Sequence, residues 1–279
     1  MNDRIETFGR SRIQHGNGNN RVYLMKLDPD DLPQILDHME KLAEDYAYSK
    51  IFAKAPSKYR AHFLAHGFVE EAMVPKFFGG STDCSFLGKY FSPERQCEDE
   101  PKTVKAVLTA AHDSTPAMPE LPAGYSCRTM EPADCQLMAA LYRRVFASYP
   151  FPIHDPDYLA RTMEENLLYW GVFSDTGDLV ALSSAEMDIA GENAEMTDFA
   201  THPDYRGRGL ANFLLDAMEK TMADRQIRTA FTIARSYSFG MNITFARSGY
   251  HFAGTLVHNT NIFGRLESMN VWYKPLSKG

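Results

Sequence analysis

The segment TDFATHPDYRGRGLANFLLDAMEKTMADR, residues 197–225, constrains this chain more than any other. A strand pattern runs into a short turn holding Arg206, Gly207, Arg208 and Gly209. A helix follows whose apolar face is Leu210, Phe213, Leu214, Ala217 and Met218. Small residues at Gly207, Gly209 and Ala211 let backbone N–H groups converge on one place, and the helix N-terminus adds partial positive charge. With two arginines beside it, such a place suits a pyrophosphate. A glycine pair alone reads as a solvated turn; its place between an apolar strand and an amphipathic helix favours the anion cradle. The spacing is neither GxxxxGK[ST] nor GxGxxG, which sets aside nucleoside triphosphates and dinucleotides.

The rest of the chain arranges itself around this segment. A length of 279 residues suits two compact units. Residues 1–20 show no period and read as a flexible arm or edge strand. Residues 21–91 read as a small α/β domain: strand Arg21–Lys26, a helix from Pro29 through Ala43, strand Ser49–Ala53, helix Lys58–Ala65, then strands Phe68–Val74 and Ser85–Tyr90. Residues 92–123 are polar and Pro-punctuated, a linker with one short helix over Thr103–His112. Residues 124–276 form the domain that carries the turn: strand Tyr125–Met130, helix Pro132–Phe146, the Pro-rich loop SYPFPIHDPD, helix Tyr158–Asn166, and strands Leu168–Ser174, Leu179–Asp188 and Ala194–Thr201.

Composition narrows the function. The net charge of −7 and the lack of a basic tail or stripe argue against nucleic acid and mildly favour a small cationic substrate. No apolar run approaches the roughly 20 residues that cross a bilayer, and the N-terminus is polar, so the expectation is a cytoplasmic protein with no membrane partner. Cys84, Cys97, Cys127 and Cys135 lack CxxC spacing and an accompanying His cluster, so no metal is expected.

With these residues in view, the chain resembles the GNAT superfamily of N-acetyltransferases, whose acetyl-CoA loop reads Arg/Gln-x-x-Gly-x-Gly/Ala. Here it is Arg206-x-x-Gly209-x-Ala211. Glu195–Thr201 is similar to the family's central strand, Thr229–Ala234 to its splayed partner, and Gly249–Tyr250 to its Gly-aromatic pair. The resemblance implies a GNAT fold, a mixed central sheet flanked by helices, α/β in the α+β sense. The run from Ser236 to Lys274 and the YPFP loop at Tyr149–Pro152 are similar to the β-lysine N-acetyltransferase family. That likeness implies acetylation of the terminal amine of β-lysine to the compatible solute Nε-acetyl-β-lysine.

The resemblance also distributes roles. Acetyl-CoA, as co-substrate, would meet Arg206, Gly207, Arg208, Gly209, Leu210 and Ala211 at the turn. Backbone N–H groups at Phe199, Ala200 and Thr201 would serve pantetheine and the thioester oxygen. Asn242 and Phe245 would flank it. The base must accept a proton from an ammonium group, and a strand carboxylate is the natural candidate: Glu195 first, then Asp198 and Glu186. Strand carboxylates also pair with basic neighbours or hold cationic substrate groups, and Glu186, Tyr149, Asn259, Asn261 and Glu267 are the substrate candidates. Many family members carry a Tyr four residues before the Gly-aromatic pair, where it protonates the leaving thiolate. Phe245 stands there instead, and Ser238 replaces the familiar upstream Asn, with Asn242 one helical turn on. Tyr250 or Tyr237 would then supply the proton, or water would.

The N-terminal unit has its own pattern. In both YRAHFLAHGFVEEAMVP and NITFARSGYHFAGTLVH, a Phe-bearing helix ends at Gly plus an aromatic, Gly67-Phe68 and Gly249-Tyr250, before a strand. This suggests a degenerate GNAT-like half without a CoA loop, covering one flank of the active domain or making a homodimer contact. Two other functions stay open at this point: acetylation of another small amine or a protein amine, and a non-catalytic acetyl-CoA sensor.

Overall fold

The computed structural model describes residues 3–116, 118–147, 149–262 and 264–276. In chain order the first half holds β1 (Arg4–Phe8), β2 (Ser11–Gly16), β3 (Arg21–Lys26), α1 (Gln34–Asp45), β4 (Lys50–Pro56), α2 (Arg60–Ala65), β5 (Val69–Phe78) and β6 (Thr82–Tyr90). Helices α3 (Pro93–Gln96) and α4 (Pro101–His112) follow. The second half holds β7 (Ser126–Thr129), α5 (Cys135–Val145), α6 (Pro156–Glu165), β8 (Leu167–Phe173), β9 (Leu179–Asp188), β10 (Asn193–Thr201), α7 (Leu210–Asp224), β11 (Thr229–Arg235), α8 (Phe239–Arg247), β12 (His251–Ile262) and β13 (Arg265–Pro275).

All thirteen strands share one sheet, ordered β1-β2-β3-β4-β6-β5-β12-β13-β11-β10-β9-β8-β7. The order repeats itself about its middle. β3 and β4 pair parallel, as do β10 and β11, while β4–β6–β5 and β11–β13–β12 pair antiparallel. α1 and α2 connect the first set at the same points as α7 and α8 in the second. The local match noted in sequence is closely kept. Phe68 N–H bonds the Phe63 carbonyl and Tyr250 N–H the Phe245 carbonyl, both at 3.1 Å, with Gly67 and Gly249 at φ +79° and +82°, the left-handed turn that ends a helix at glycine. The openings of the two crossover helices differ: α7 opens on Gly209, whereas α1 opens on Pro33 after Asp28, Asp30 and Asp31.

The halves join where Gly254 of β12 pairs with Ala72 of β5. A Cβ at Gly254 would lie 2.1 Å from the Glu71 carbonyl oxygen, so only glycine permits this approach. Strand alternation then sorts the core. Val22, Leu24, Ile51 and Ala53 turn to α1 and α2, and Ala194, Met196 and Ala230 turn to α7 and α8. The opposite faces of the halves pack on each other through Phe52, Phe77 and Phe86 against Phe231, Met269 and Val271.

Two sequence expectations change. Within residues 1–20, read as a flexible arm or edge strand, lie two strands rather than one, the β1–β2 hairpin with Arg4 opposite His15 and β1 at one end of the sheet. The span 92–123 is not a bare linker: α4 turns Leu108 and Ala111 into the core beside Phe245, and Arg247 Nε donates to the Thr115 carbonyl at 3.0 Å. Its apolar spacing at Val104, Val107, Leu108 and Ala111 gives α4 a buried stripe of its own. No helix among the described residues is long and apolar enough to cross a membrane.

Candidate active site

β10 and β11 pair only over Asn193–Glu195 against Thr229–Phe231. Beyond Glu195 they separate, while β10 stays paired with β9 as far as Thr201, with a bulge between Thr197 and Ala200. Asp198 sits in the bulge at φ +56°, a left-handed conformation that Asp tolerates better than most residues. The extra residue reverses the alternation. Asp198 comes onto the face that carries Glu195, and Phe199 turns to the helices, where its ring meets Phe245 edge-on at 5.6 Å. From Met196 to Thr201 the β11-facing backbone of β10 has no strand partner among the described residues.

The turn that follows is open. Gly207 and Gly209 both take φ +76°, and nothing lies within 4 Å of where a Cβ would stand on either. Buried Leu210 anchors the start of α7, whose first N–H groups have no intrahelical acceptor. Arg206 Nε donates to the Thr201 carbonyl at 3.3 Å. Arg208 donates to the Tyr125 hydroxyl at 2.6 Å and to the Asp204 carbonyl at 3.2 Å, with its guanidinium 4.9 Å from the Tyr205 ring centre. Both arginines are therefore held beside the turn.

A model of the acetyltransferase (GNAT) family matches residues 136–250, which include the bulge, the separated strands and the turn. The chain is 37% identical over 279 residues to the β-lysine N6-acetyltransferase of Methanococcus maripaludis, covering 98% of both chains. The chain belongs to the GNAT acetyltransferase family. It is also 32% identical over 272 residues to the N-acetyltransferase YodP of Bacillus subtilis, covering 95% of each chain. With the β-lysine N6-acetyltransferase of Methanosarcina mazei it shares 32% over 265 residues, 87% of this chain and 97% of that one.

GNAT enzymes are N-acetyltransferases that use acetyl-CoA, and two features here fit that molecule: a glycine turn with space where side chains would stand, and a strand edge whose backbone groups lack a partner. Among the described residues no cluster of His, Cys, Asp or Glu could hold a metal ion.

Three carboxylates gather beside the separated strands. Glu195 is opposite Glu186 across β9 and β10, so both stand on one face. Burial first, and then repulsion from Glu186, push the Glu195 carboxyl up to about 8, against the pull of Lys54. Burial also raises Glu186 and Asp198. Glu186 keeps solvent access even though the surrounding protein desolvates its carboxyl. Asp198 accepts from the Tyr149 hydroxyl on one oxygen and the Ser184 hydroxyl on the other, both at 2.5 Å. The Tyr149 phenol, also raised by burial and by the Asp198 charge, is thereby fixed at the edge of the acid group.

Other residues expected from sequence lie elsewhere. Asn242 is fully buried; its amide donates to the Arg235 and Ser238 carbonyls, and its oxygen accepts from Asn270 Nδ2 at 2.9 Å and Trp272 Nε1 at 2.8 Å. It braces α8 against β13 and has nothing left for a cofactor. Phe245 is core, packed between Phe199 and Tyr250. Tyr250 is buried beside Glu219 on the helix side of the sheet, its phenol raised far by burial and that carboxylate. Tyr237 donates to Glu98. Neither hydroxyl faces the acid group.

The substrate candidates at the C-terminal hairpin are also structural. Glu267 takes both donors of Arg235 at 2.8 and 2.9 Å. Asn261 bonds Asn19 and Gly18, and the Asn259 carbonyl accepts from Arg21. These contacts tie β12 to the first half. Ala200 is buried, so only its backbone could serve. The residues that sequence reading missed are Ser184 on β9, which donates to Asp198, Lys54 on β4, whose ammonium lowers Glu195 and Glu186 against their burial, and Tyr23 on β3, whose phenol is raised by burial and by those two acids. A register of the sheet was needed to find them.

Proposed function

We propose that this GNAT enzyme transfers the acetyl group of acetyl-CoA to the terminal amine of β-lysine, giving the compatible solute Nε-acetyl-β-lysine. The observation that carries the reading is the acid row at the strand separation, Glu186 and Glu195 side by side with Asp198 near them. It fits a substrate bearing two ammonium groups, and near full-length relatives carry the β-lysine name.

Acetyl-CoA, when bound, supplies an acetyl thioester. Arg206, Arg208 and the backbone of Gly207–Ala211 would hold its pyrophosphate, and the free backbone edge at Phe199–Thr201 would take the pantetheine arm and the thioester oxygen. Glu195 is the base. A lysine-type ammonium has a pKa of about 10.4, so a carboxylate at about 8 accepts its proton far less uphill than one at the ordinary value of 4.5. Asp198 holds the Tyr149 hydroxyl at the edge of the acid group and acts as a positioning residue. The Tyr237 and Tyr250 hydroxyls are turned to Glu98 and buried beside Glu219, so neither is placed to protonate the departing thiolate, and water is left to do so.

Following thiol release with acetyl-CoA tests the assignment. kcat/KM for β-lysine should exceed that for α-lysine and for 1,5-diaminopentane by about tenfold or more, because a charged group left without its counterpart in the site costs about 1.4 kcal/mol or above. Equal rates on all three would replace β-lysine with a general amine substrate.

A further inference from the structure

Glu195 is the register partner of two residues at once, Glu186 on β9 and Phe231 on β11. The three side chains therefore form a row on one face, spaced about 5 Å from strand to strand. Lys54 reaches this row from the other half of the chain. Its Nζ lies 5.2 Å from the centre of the Phe231 ring and 5.9 Å from that of Phe77. Lys54 is half-buried, and among the described residues no carboxylate oxygen comes within 4.0 Å of its Nζ. Burial pulls its pKa down, but the Glu195 and Glu186 carboxylates acting from further off help to outweigh that and leave it above the usual lysine range.

A row of acids satisfies ammonium groups and repels a carboxylate. An amino acid whose amines lie along Glu195 and Glu186 must find a cation for its carboxylate nearby. Among the described residues the cations that weigh most on Glu195 and Glu186 are Lys54 and Arg12, both from the first half, while Arg235 of β11 is engaged with Glu267. Arg12 is solvent-exposed on β2, whereas Lys54 is backed by two aromatic rings and has no ion-pair partner among the described residues. We infer that Lys54 is the counter-charge for the substrate carboxylate, a specificity-determining residue that the N-terminal half contributes to the active site. This rests on the amino-acid substrate proposed above.

The test measures thiol release by the full-length enzyme and its Lys54→Met, Lys54→Arg and Arg12→Met variants. The substrates are β-lysine, β-lysine carboxamide and 1,4-diaminopentane, which is β-lysine without its carboxylate. Wild-type enzyme should prefer β-lysine over both neutralised analogues by about tenfold or more. Measured at a pH above the Glu195 break of every variant, Lys54→Met should remove that preference by raising KM for β-lysine by a similar factor, with kcat/KM for the analogues held within about twofold and CoA affinity unchanged by calorimetry. Lys54→Arg should restore part of the preference. A preference that survives in Lys54→Met, or an equal loss on all three substrates, overturns the assignment while leaving β-lysine as substrate. Collapse in Arg12→Met alone moves the role to Arg12 and also overturns it. Wild-type enzyme that does not turn over β-lysine overturns the substrate reading itself, and this inference with it.

Discussion

Burial and Glu186 penalise the charge of Glu195 and push its carboxyl up to about 8, and Lys54 only partly relieves them. Only the deprotonated form can accept a proton. kcat/KM should therefore rise about tenfold per pH unit below a break near pH 8 and bend there, and Glu195→Gln should lower it about 10²–10⁴-fold and erase the break. A pH–rate profile without that break would remove Glu195 as base. The linkage to stability has the opposite sign. A carboxyl raised from 4.5 to about 8 on folding stabilises the fold below about 4.5, and this contribution is lost as pH rises through about 8, so the site is least stable where it is active. Glu195 and Asp198 were legible as candidates because they precede the glycine turn. Their grouping was not: strict alternation puts positions 195 and 198 on opposite faces, and the bulge that reunites them leaves no mark in composition. Lys54 was invisible because its relevance depends on a contact between distant halves.

The turn into α7 and the brace on α8 make contrasting predictions. At Gly209 a side chain meets no protein atom, so its cost divides between the left-handed backbone, about 1–2 kcal/mol, and the space a phosphate would need. Gly209→Glu should abolish CoA binding in calorimetry while circular dichroism reports the fold intact; unchanged affinity would move the cradle elsewhere. Asn242→Ala should do the reverse. It leaves the buried Trp272 and Asn270 donors without an acceptor, at about 1–3 kcal/mol each, so urea denaturation should show the loss while the CoA dissociation constant of the folded enzyme stays put. The turn was readable because glycines at fixed spacing between a strand and a helix have few uses. The brace was not, because a polar residue on an apolar helix reads alike whether it meets a cofactor or a neighbouring strand. α4 sits between these cases: its helical period was evident, but the proline-rich flanks disguised its packing.

The two halves share strand order, pairing sense and crossover helices, and they face each other so that β3 and β4 of one supply Tyr23 and Lys54 opposite β10 and β11 of the other. The repeated helix-end motif at Gly67 and Gly249 hinted at this arrangement, whereas the facing of the halves follows from a closure at Gly254 that no short pattern encodes. Their difference at the crossover helix sets how many cofactor molecules one chain can take. Where α7 presents bare amides, α1 begins at Pro33, which has no N–H, and the preceding Asp31 already accepts from the Arg10 amide at 3.0 Å and from the Ser11 amide and hydroxyl at 2.8 and 2.7 Å. A phosphate approaching there meets the chain's own anions. Titration with CoA should accordingly reach its end point at a single equivalent per chain, and a second equivalent would mean that the front half still binds. With proline and aspartates at the opening of its crossover helix, the first half has no glycine turn to preserve, so substitutions in its strands leave the geometry of the α7 turn untouched.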